Sequence, residues 1–393
     1  MFGDIACSTP AESFTSLPSD RFSHSTAFQY FQPLEELSSF VNYAKGKICS
    51  SSDSSCIERA ERLAEASSLD VSYDTISHAL KITAVWSYQQ QPIHAAYRQG
   101  LRTEVGVLSD ERTPTMEAHE LGISGLLTVL GQDLKPSVTM FSFPSRHRDA
   151  KSGFEAEFVS PTGLHPTLRL RLTSDKPPVE DAYCSPHAYF TLPRNIFVDK
   201  YQLSDDLFLA SKNLTALRYT SQPVDLEAPE YVMKLWGSSV LVELTPPAGG
   251  TGKSWTAEIP MHLRYLAPRY GGYKKIQVPY PAVFWACPAE EGTKFPNNPF
   301  ERVNLGYDGL FGPRTVFWHL EPRPPPGSSR ITSAITVPVL DLDKADWVNV
   351  GTAAAVLAGF GWVAWKLLSV FFMSGYGAET ASEETAKKKK KRN

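Results

Sequence analysis

Two acidic residues near the C-terminal end have the spacing of a known metal-binding motif. Asp341-Leu342-Asp343 has the D-x-D form with which many glycosyltransferases hold a metal ion and a nucleotide sugar. That chemistry needs a nucleotide-binding α/β pattern before the motif, and the residues that precede it are proline-rich instead. The sequence therefore favours acidic residues of a stem over a metal site, and it predicts no cofactor.

Residues 255–265 alternate between apolar and polar side chains, which is the period of two of a half-buried strand. Pro260 cannot donate a hydrogen bond within a sheet, so we expect this strand at a sheet edge or a bulge. Glu258, His262 and Arg264 fall on its polar face. They could contact a partner protein or pair with neighbouring strands. Catalysis is the least favoured role, because no nucleophile or second carboxylate has a recognisable position.

A basic cluster, Arg146-His147-Arg148, could bind a phosphate. A cluster of this kind exposed in a turn is usually only solvated. The sequence holds no P-loop, GxSxG, HExxH or GxGxxG motif in a convincing context. Its formal net charge of -3 gives no indication of nucleic-acid binding.

Short strand patterns separated by proline and glycine recur from about residue 79 onward. They cover residues 80–86, 125–130, 137–141, 154–158, 168–172 and 238–244. The last of them leads through residues 246–250 into the strand at 255, which predicts a hairpin. The pattern predicts a mainly β fold with a β-sandwich-like body and a single C-terminal transmembrane helix.

We expect six parts along the chain. Residues 1–75 are a Ser-rich, poorly ordered extension with a short helical pattern near Cys56–Ala66, residues 76–160 an N-terminal β region and residues 161–290 the main β domain. Residues 291–346 are a proline-rich irregular stem, residues 347–373 the transmembrane helix and residues 374–393 a basic tail. Residues 1–30 lack the apolar and basic regions of a signal peptide. The transmembrane segment itself would then direct translocation, or an exon is missing. A tail-anchored protein with a cytosolic body is the third alternative, which the basic residues after the helix disfavour.

Residues 350–373 are nearly all apolar and long enough to cross a bilayer, which needs about 20 helical residues. Lys366 is the exception, and snorkelling to the interface is favoured over a polar contact with a partner helix. Gly351, Ala355 and Gly359 recur every four residues, a spacing that lets a second helix approach closely. The alternative is that small residues are simply common in membrane helices.

The charges on either side of this segment predict its orientation. Three aspartates precede it, and a run of basic residues at 387–392 follows it. Basic flanks stay in the cytosol, so the large N-terminal part is expected in the lumen. Lys390 and Lys391 have the spacing of a dilysine retrieval signal, although a basic run produces that spacing by chance. We expect a single-pass protein of the endoplasmic reticulum membrane with a cytosolic tail.

The chain has five cysteines. In an oxidising lumen Cys184 and Cys287 could pair, or both could be buried thiols. Cys49 and Cys56 could form a local disulfide, whereas their surroundings do not support a zinc site. Asn213-Leu214-Thr215 is the only N-x-Ser/Thr sequon in the chain, so Asn213 is a glycosylation site if the body is lumenal.

Several ordered segments resemble the PIG-X family, and most closely its fungal branch. They span roughly residues 160 to 290, and they are Gly163–Thr167, Leu192–Leu203, Asp225–Pro229, Ile259–Pro268, Gly272-Tyr273 and Pro279–Cys287. Blocks that recur in the family's order are far more specific than one short motif. Residues 1–75 show no such resemblance.

The resemblance implies a non-catalytic role. Members of the family are the small single-pass subunit of GPI mannosyltransferase I in the endoplasmic reticulum, and they stabilise a polytopic catalytic partner that adds the first mannose to the GPI precursor. A lumenal chaperone or quality-control factor for secretory glycoproteins is the alternative. A hydrolase or transferase in its own right is a third class, which the lack of a recognisable nucleophile disfavours.

Overall fold

The computed structural model describes residues 13–16, 28–34, 36–87, 95–97, 99–100, 102–110, 120–160, 163–180, 182–221, 225–248, 250–295 and 305–373. Strands are the most frequent regular element among these residues, and one long apolar helix lies at their C-terminal end. The predicted mainly β class with a single long C-terminal apolar helix is therefore confirmed. The chain divides into two compact units. The body unit comprises the residues up to Leu266 and Lys275–Ile335, and the anchor unit comprises Ala267–Lys274 and the residues from Thr336 onward.

Nineteen strands occur in the described part of the chain. In chain order, β1 to β19 are Thr15–Ser16, Phe28–Gln29, Ser68–Asp74, Ala79–Val85, Glu104–Asp110, Glu120–Val129, Ser137–Pro144, His147–Phe158, Thr167–Leu172, Ser185–Pro193, Ile196–Phe197, Leu214–Thr220, Gly237–Leu244, Trp255–Pro260, His262–Leu263, Tyr273–Pro279, Ala282–Pro288, Thr315–Pro322 and Thr332–Pro338. The α-helices of this part, α1 to α4, are Ser38–Tyr43, Ser54–Arg62, Asp206–Ser211 and Ala345–Met373.

One eight-stranded sheet contains most of the core. Its strand order is β12-β13-β10-β17-β18-β8-β9-β14, and all neighbours are antiparallel except β18 and β8. The central strands are apolar on both faces, which is why Phe190, Phe284 and Phe317 are completely buried. Burial of such side chains contributes about 1.5–3 kcal/mol each, so the sheet centre is the main source of stability.

The position of β14 confirms the prediction made from Pro260. β14 is the last strand of the sheet, and its neighbour β9 pairs with it through Trp255–Pro260 and Thr167–Leu172. A proline at the end of an edge strand leaves no ladder hydrogen bond unmade.

The predicted hairpin between β13 and β14 is wrong. The two strands are not neighbours in the described sheet. β13 pairs with β10 and β12, whereas β14 is the last strand and pairs with β9. The sheet curls so that its edge strands approach each other. The Glu258 amide donates to the Lys212 carbonyl at 3.0 Å, and Asn213 Nδ2 donates to the Thr256 carbonyl at 2.8 Å. Thr245, the first residue after β13, is bound next to the start of β12, because its amide donates to the Asn213 carbonyl at 2.9 Å.

Part of the predicted irregular stem is also wrong. β18 lies between β17 and β8 in the middle of the sheet, and β19 pairs with β16. The prolines on both sides of these strands obscured the strand pattern. It is visible in Thr332–Pro338, where buried and exposed residues alternate and Ser333, Ile335 and Val337 are the buried ones. The predicted domain boundaries themselves stay predictions.

The N-terminal residues that the structure describes form small elements of their own. β3 and β4 make a two-stranded sheet, and β5, β6 and β7 make a three-stranded one. The helix predicted near Cys56 is confirmed as α2, whose first turn is capped by the Asp53 carboxylate. A disulfide joins Cys49 to Cys56, with their Cα atoms 5.5 Å apart.

The basic cluster at residues 146–148 is not exposed in a turn, contrary to expectation. Arg146 is buried, and its guanidinium donates to the carbonyls of Gly312 and Thr315 at 2.8 and 2.9 Å. Parallel pairing of β8 with β18 draws the cluster inward, where His147 Nδ1 lies 3.0 Å from His319 Nε2. The phosphate-binding alternative loses its basis, because these groups already have partners within the chain.

The half-buried pair of His147 and His319 predicts acid sensitivity. Burial, and secondarily His147, lower the pKa of His319 from 6.5 to about 4. The unfolded chain therefore binds a proton that the folded chain excludes, so this contribution to stability is complete above pH 6.5 and is lost as the pH falls toward 4. In denaturant titrations of the full chain at pH 7 and 4.5, we expect His319→Gln to lose about 2–3 kcal/mol less on acidification than the wild type. The exposed His78→Gln variant should follow the wild type, and equal losses in all three proteins would contradict the prediction.

Candidate partner-binding site

Four of the six segments that resemble one family meet at a single place in the body unit. The chain from Met261 to Arg264 runs between two others. On one side the Met261 and Leu263 amides donate to the carbonyls of Pro166 and Leu164, both at 2.8 Å. On the other side β15 pairs with β11. We call the segments 163–167, 195–203, 225–233 and 261–265 the junction.

His262 is a half-buried member of the junction with contacts to two of the other segments. Its Nδ1 lies 3.0 Å from His165 Nδ1, and its Nε2 lies 3.0 Å from Gln202 Oε1. The ring stacks on Phe197 with centroids 5.4 Å apart. Because an amide oxygen accepts, His262 donates from Nε2 and presents a lone pair on Nδ1 to His165. Burial, and then the neighbouring His165, lower the pKa of His262. Burial and His165 thus favour the neutral form of His262.

Arg264 lies inside the protein with 5% of its surface exposed. Its Nη1 donates to the carbonyls of Asp225 and Ala228, and its guanidinium lies 4.4 Å from the centre of the Phe197 ring. Its amide donates to the Asn195 carbonyl at 3.0 Å. Burial lowers the pKa of the guanidinium, and the nearby Asp225 opposes that shift.

These contacts disfavour partner contact for Arg264, which is one of the two roles that the sequence left open. The side chain is almost entirely buried, because its guanidinium binds two carbonyls of the loop that begins at Asp225. That loop is tight because Asp225 Oδ1 accepts hydrogen bonds from the amides of Glu227 and Ala228, both at 3.0 Å, which also lower the pKa of the carboxyl group. Alternation identified Glu258, His262 and Arg264 as the polar positions, but it could not show which of them a neighbouring loop would cover.

Glu258, the third residue of this face, pairs within the sheet. Its carboxylate accepts from Lys212 Nζ at 2.8 Å and from Arg169 at 3.0 Å. Both interactions lower the pKa of Glu258, the Lys212 contact more strongly. Arg169 stands directly opposite on β9. Cross-strand pairing, one of the two favoured interpretations, is therefore what the geometry of Glu258 provides.

Large apolar side chains surround the junction and face solvent. Six of them, here named the junction rim, are Leu164, Tyr201, Leu226, Tyr231, Val232 and Tyr265. Each lies in a junction segment, and the Glu230 amide donates to the Tyr265 carbonyl at 2.9 Å, which ties the loop carrying Tyr231 to the strand carrying Tyr265. Exposed aromatic and aliphatic groups on a rigid base are typical of protein-binding surfaces. Sequence reasoning missed these residues, although each stands within three positions of a junction residue that has a polar contact.

The predicted modification site at Asn213 lies on the surface where the two edge strands approach. Its backbone φ is +56°, a conformation that asparagine tolerates better than most residues. The side-chain amide donates one hydrogen bond, to the Thr256 carbonyl, and an amide nitrogen has two hydrogens. Glycosylation of Asn213 stays a prediction.

The remaining predicted site residues are distributed elsewhere. Cys184 and Cys287 form a disulfide with Cα atoms 4.4 Å apart, beside the paired strands β10 and β17. Lys390 and Lys391 lie outside the residues that the structure describes. Within the described ranges no three His, Cys, Asp or Glu side chains form a group that could hold a metal ion.

α4 is the candidate membrane span. It belongs to an apolar helical segment, Leu342–Met373, none of which is buried against the rest of the described chain. Gly351, Ala355 and Gly359 are exposed along it, and no heavy atom lies within 4 Å of where a Cβ would stand on either glycine. The helix therefore carries an open stripe of small residues, and its contact with a partner stays a prediction.

Comparisons with known proteins agree with the resemblance seen in the sequence. A family model described as PIG-X / PBN1 matches residues 161–368. Protein pbn1 of Neurospora crassa is 67% identical over 392 residues, which cover 100% of this chain and 78% of that protein. Protein PBN1 of Gibberella zeae is 49% identical over 99% of this chain and 78% of its own length. Protein pbn1 of Emericella nidulans is 42% identical over 95% and 75%.

The buried guanidinium of Arg264 predicts a large effect of its removal. We expect Arg264→Ala to lower the free energy of unfolding by about 2–4 kcal/mol, because two loop carbonyls lose their donor in a buried site. Arg264→Lys should cost less, since one ammonium keeps the charge but not the fork of donors. Limited proteolysis should cut between residues 225 and 233 first. The control is Arg171→Ala, an exposed position at which we expect a change within about 0.5 kcal/mol. An equally small change for Arg264→Ala would show that the loop keeps its conformation without the Arg264 side chain.

Proposed function

This chain belongs to the PIG-X / PBN1 family, and we propose that it is a non-catalytic, stabilising subunit of GPI mannosyltransferase I in the endoplasmic reticulum. That enzyme adds the first mannose to the GPI-anchor precursor. The observation that carries the proposal is the extent of the family match, which runs from residue 161 to residue 368. It therefore includes the junction, the centre of the eight-stranded sheet and most of α4.

The proposed mechanism is packing, at two levels, against a polytopic catalytic subunit. The junction rim would lie on lumenal loops of that subunit, where burial of aromatic and aliphatic groups supplies the binding energy. His262, half-buried beneath the rim, would set its shape. In the bilayer the stripe of Gly351, Ala355 and Gly359 would let the two helix backbones approach closely, since van der Waals packing drives helix association in lipid.

Three features support a lumenal body. The first is charge, because Asp341, Asp343 and Asp346 precede the helix and the basic run follows it. The second is the pair of disulfides, at Cys49–Cys56 and Cys184–Cys287, which persist in oxidising compartments. The third is the exposed sequon at Asn213.

Occupancy of the sequon tests the orientation. We expect one glycan on the full-length protein in its native membrane, seen as a single mobility shift that an endoglycosidase removes. Thr215→Ala and Asn213→Gln should abolish the shift, and Thr215→Ser should keep it because serine preserves the sequon. Thr215→Ala leaves the asparagine backbone, with its positive φ, unchanged. An unshifted wild-type protein whose body is digested by protease outside sealed microsomes would contradict the lumenal orientation.

Co-purification tests the subunit role. The full-length protein, extracted in mild detergent, should retain a polytopic, dolichol-phosphate-mannose-dependent mannosyltransferase in near-equal amount. Depletion of the protein should lower the level of that transferase. A scatter of secretory proteins and folding factors without a transferase would overturn the proposal and favour the chaperone alternative.

Rim variants test the proposed contact surface. Tyr231→Ser combined with Tyr265→Ser should reduce the recovered transferase at least fivefold at an unchanged level of this protein, because two apolar anchors are lost from the interface. The matched control combines Tyr73→Ser with Tyr183→Ser, two tyrosines outside the rim that are also more than half exposed. Equal recovery with both double variants would exclude the rim as the contact surface.

A further inference from the structure

The anchor unit contains a tight turn that is fastened to the chain just before the membrane helix. Gly271 and Gly272 both have positive φ, at +84° and +71°, which makes the turn sharp. The Arg269 amide donates to the Leu340 carbonyl at 3.0 Å, and the Val339 amide donates to the Gly272 carbonyl at 2.9 Å. Backbone hydrogen bonds thus hold the turn against residues 339–340.

Asp341 completes this attachment. Its Oδ1 accepts from the Gly271 amide and from the Asp343 amide, both at 3.3 Å. One carboxylate therefore holds the turn and caps the short helical segment Leu342–Lys344 that leads into α4. This is the role that the structure gives to the D-x-D sequence. The turn cannot move away from the start of the membrane span without breaking several hydrogen bonds.

The side chains that this unit leaves uncovered are of the kind found at a membrane surface. Tyr270 and Tyr273 on the turn are 72% and 64% exposed, and Trp347 in the first turn of α4 is 81% exposed. Leu340 and Leu342 are exposed between them. Tyrosine and tryptophan prefer the headgroup level, where the ring is in an apolar layer and its polar group reaches water.

The length of the helix agrees with this placement. At about 1.5 Å per residue, the 29 residues of α4 extend roughly 43 Å, which exceeds a hydrocarbon core of about 30 Å. The distance along the axis from Trp347 to Lys366 is close to 30 Å on the same scale. Trp347 would then lie at one interface, the ammonium of Lys366 would reach toward the other by snorkelling, and the fastened turn lies beside the first.

We propose that the turn Arg269–Tyr273 is a membrane-interface anchor, with Tyr270 and Tyr273 seated among lipid headgroups on the side of the bilayer where α4 begins. The occupant of this surface is the lipid headgroup layer, not a protein. The anchor fixes the rotation and depth of the first turns of α4. It depends on α4 spanning the bilayer, but not on the identity of the partner subunit or on which side is the lumen.

Footprinting of native tyrosines tests the anchor without any substitution. The purified full-length protein is placed alone in phosphatidylcholine nanodiscs and oxidised with hydroxyl radicals, and the rates are read by mass spectrometry. We expect Tyr270 and Tyr273 to be oxidised at least threefold more slowly than Tyr73, Tyr183 and Tyr201, which are 58%, 83% and 65% exposed. Rates for the turn within the range of these three controls would overturn the proposal.

Spin labels assign any protection to lipid and not to self-association. In a Cys7→Ser background a nitroxide is placed at Tyr270→Cys, and its collision rates with oxygen and with a water-soluble nickel complex are compared. Labels at Trp347→Cys and Leu357→Cys calibrate the interface and the bilayer interior, and Tyr183→Cys is the water reference. An oxygen-to-nickel ratio at 270 equal to that at 347 supports the anchor, and a ratio equal to that at 183 overturns it. Both results are independent of transferase co-purification, so failure here and failure of the subunit role are distinguishable.

Discussion

The buried guanidinium of Arg264 is the interaction on which the exposed surface of the body depends. It holds two carbonyls of one loop and lies against the ring of Phe197, so three segments distant in sequence keep one arrangement. Removing a charge from water is costly, and here hydrogen bonds and a ring face replace the lost hydration. A flexible loop would lose entropy on binding, whereas a loop fixed in this way has lost it during folding.

Local order was predictable from the sequence, and long-range pairing was not. Alternation identified β14, and Pro260 predicted its place at an edge, because a missing donor restricts where a strand can lie. The apolar run of α4 was equally clear from its length. By contrast, β18 was hidden among prolines, and the partner of β13 could not be read from its proximity to β14 in the chain. Pairing depends on the curl of the whole sheet, which no short window contains.

In the candidate site, too, the sequence predicted which residues are polar but not what surrounds each of them. The polar face of Glu258, His262 and Arg264 was predicted as one surface, and the structure assigns its members to three different environments. Glu258 pairs across the sheet, His262 is half-buried against another imidazole, and Arg264 is inside. Periodicity gives the side of a strand on which a residue lies, but burial depends on what the loops from elsewhere place over it. The exposed rim followed from the structure alone.

The central position of β18 has a consequence for biogenesis. His147 and His319, which meet across the parallel pair β8 and β18, are 172 residues apart in the chain. Until residues 315–322 have been synthesised, β8 and β17 each lack a neighbour, and unpaired strand edges are prone to aggregate. Such non-local closure is slow. The candidate membrane span α4 begins at Ala345, so the last step of sheet assembly and the synthesis of this helix fall in the same short interval.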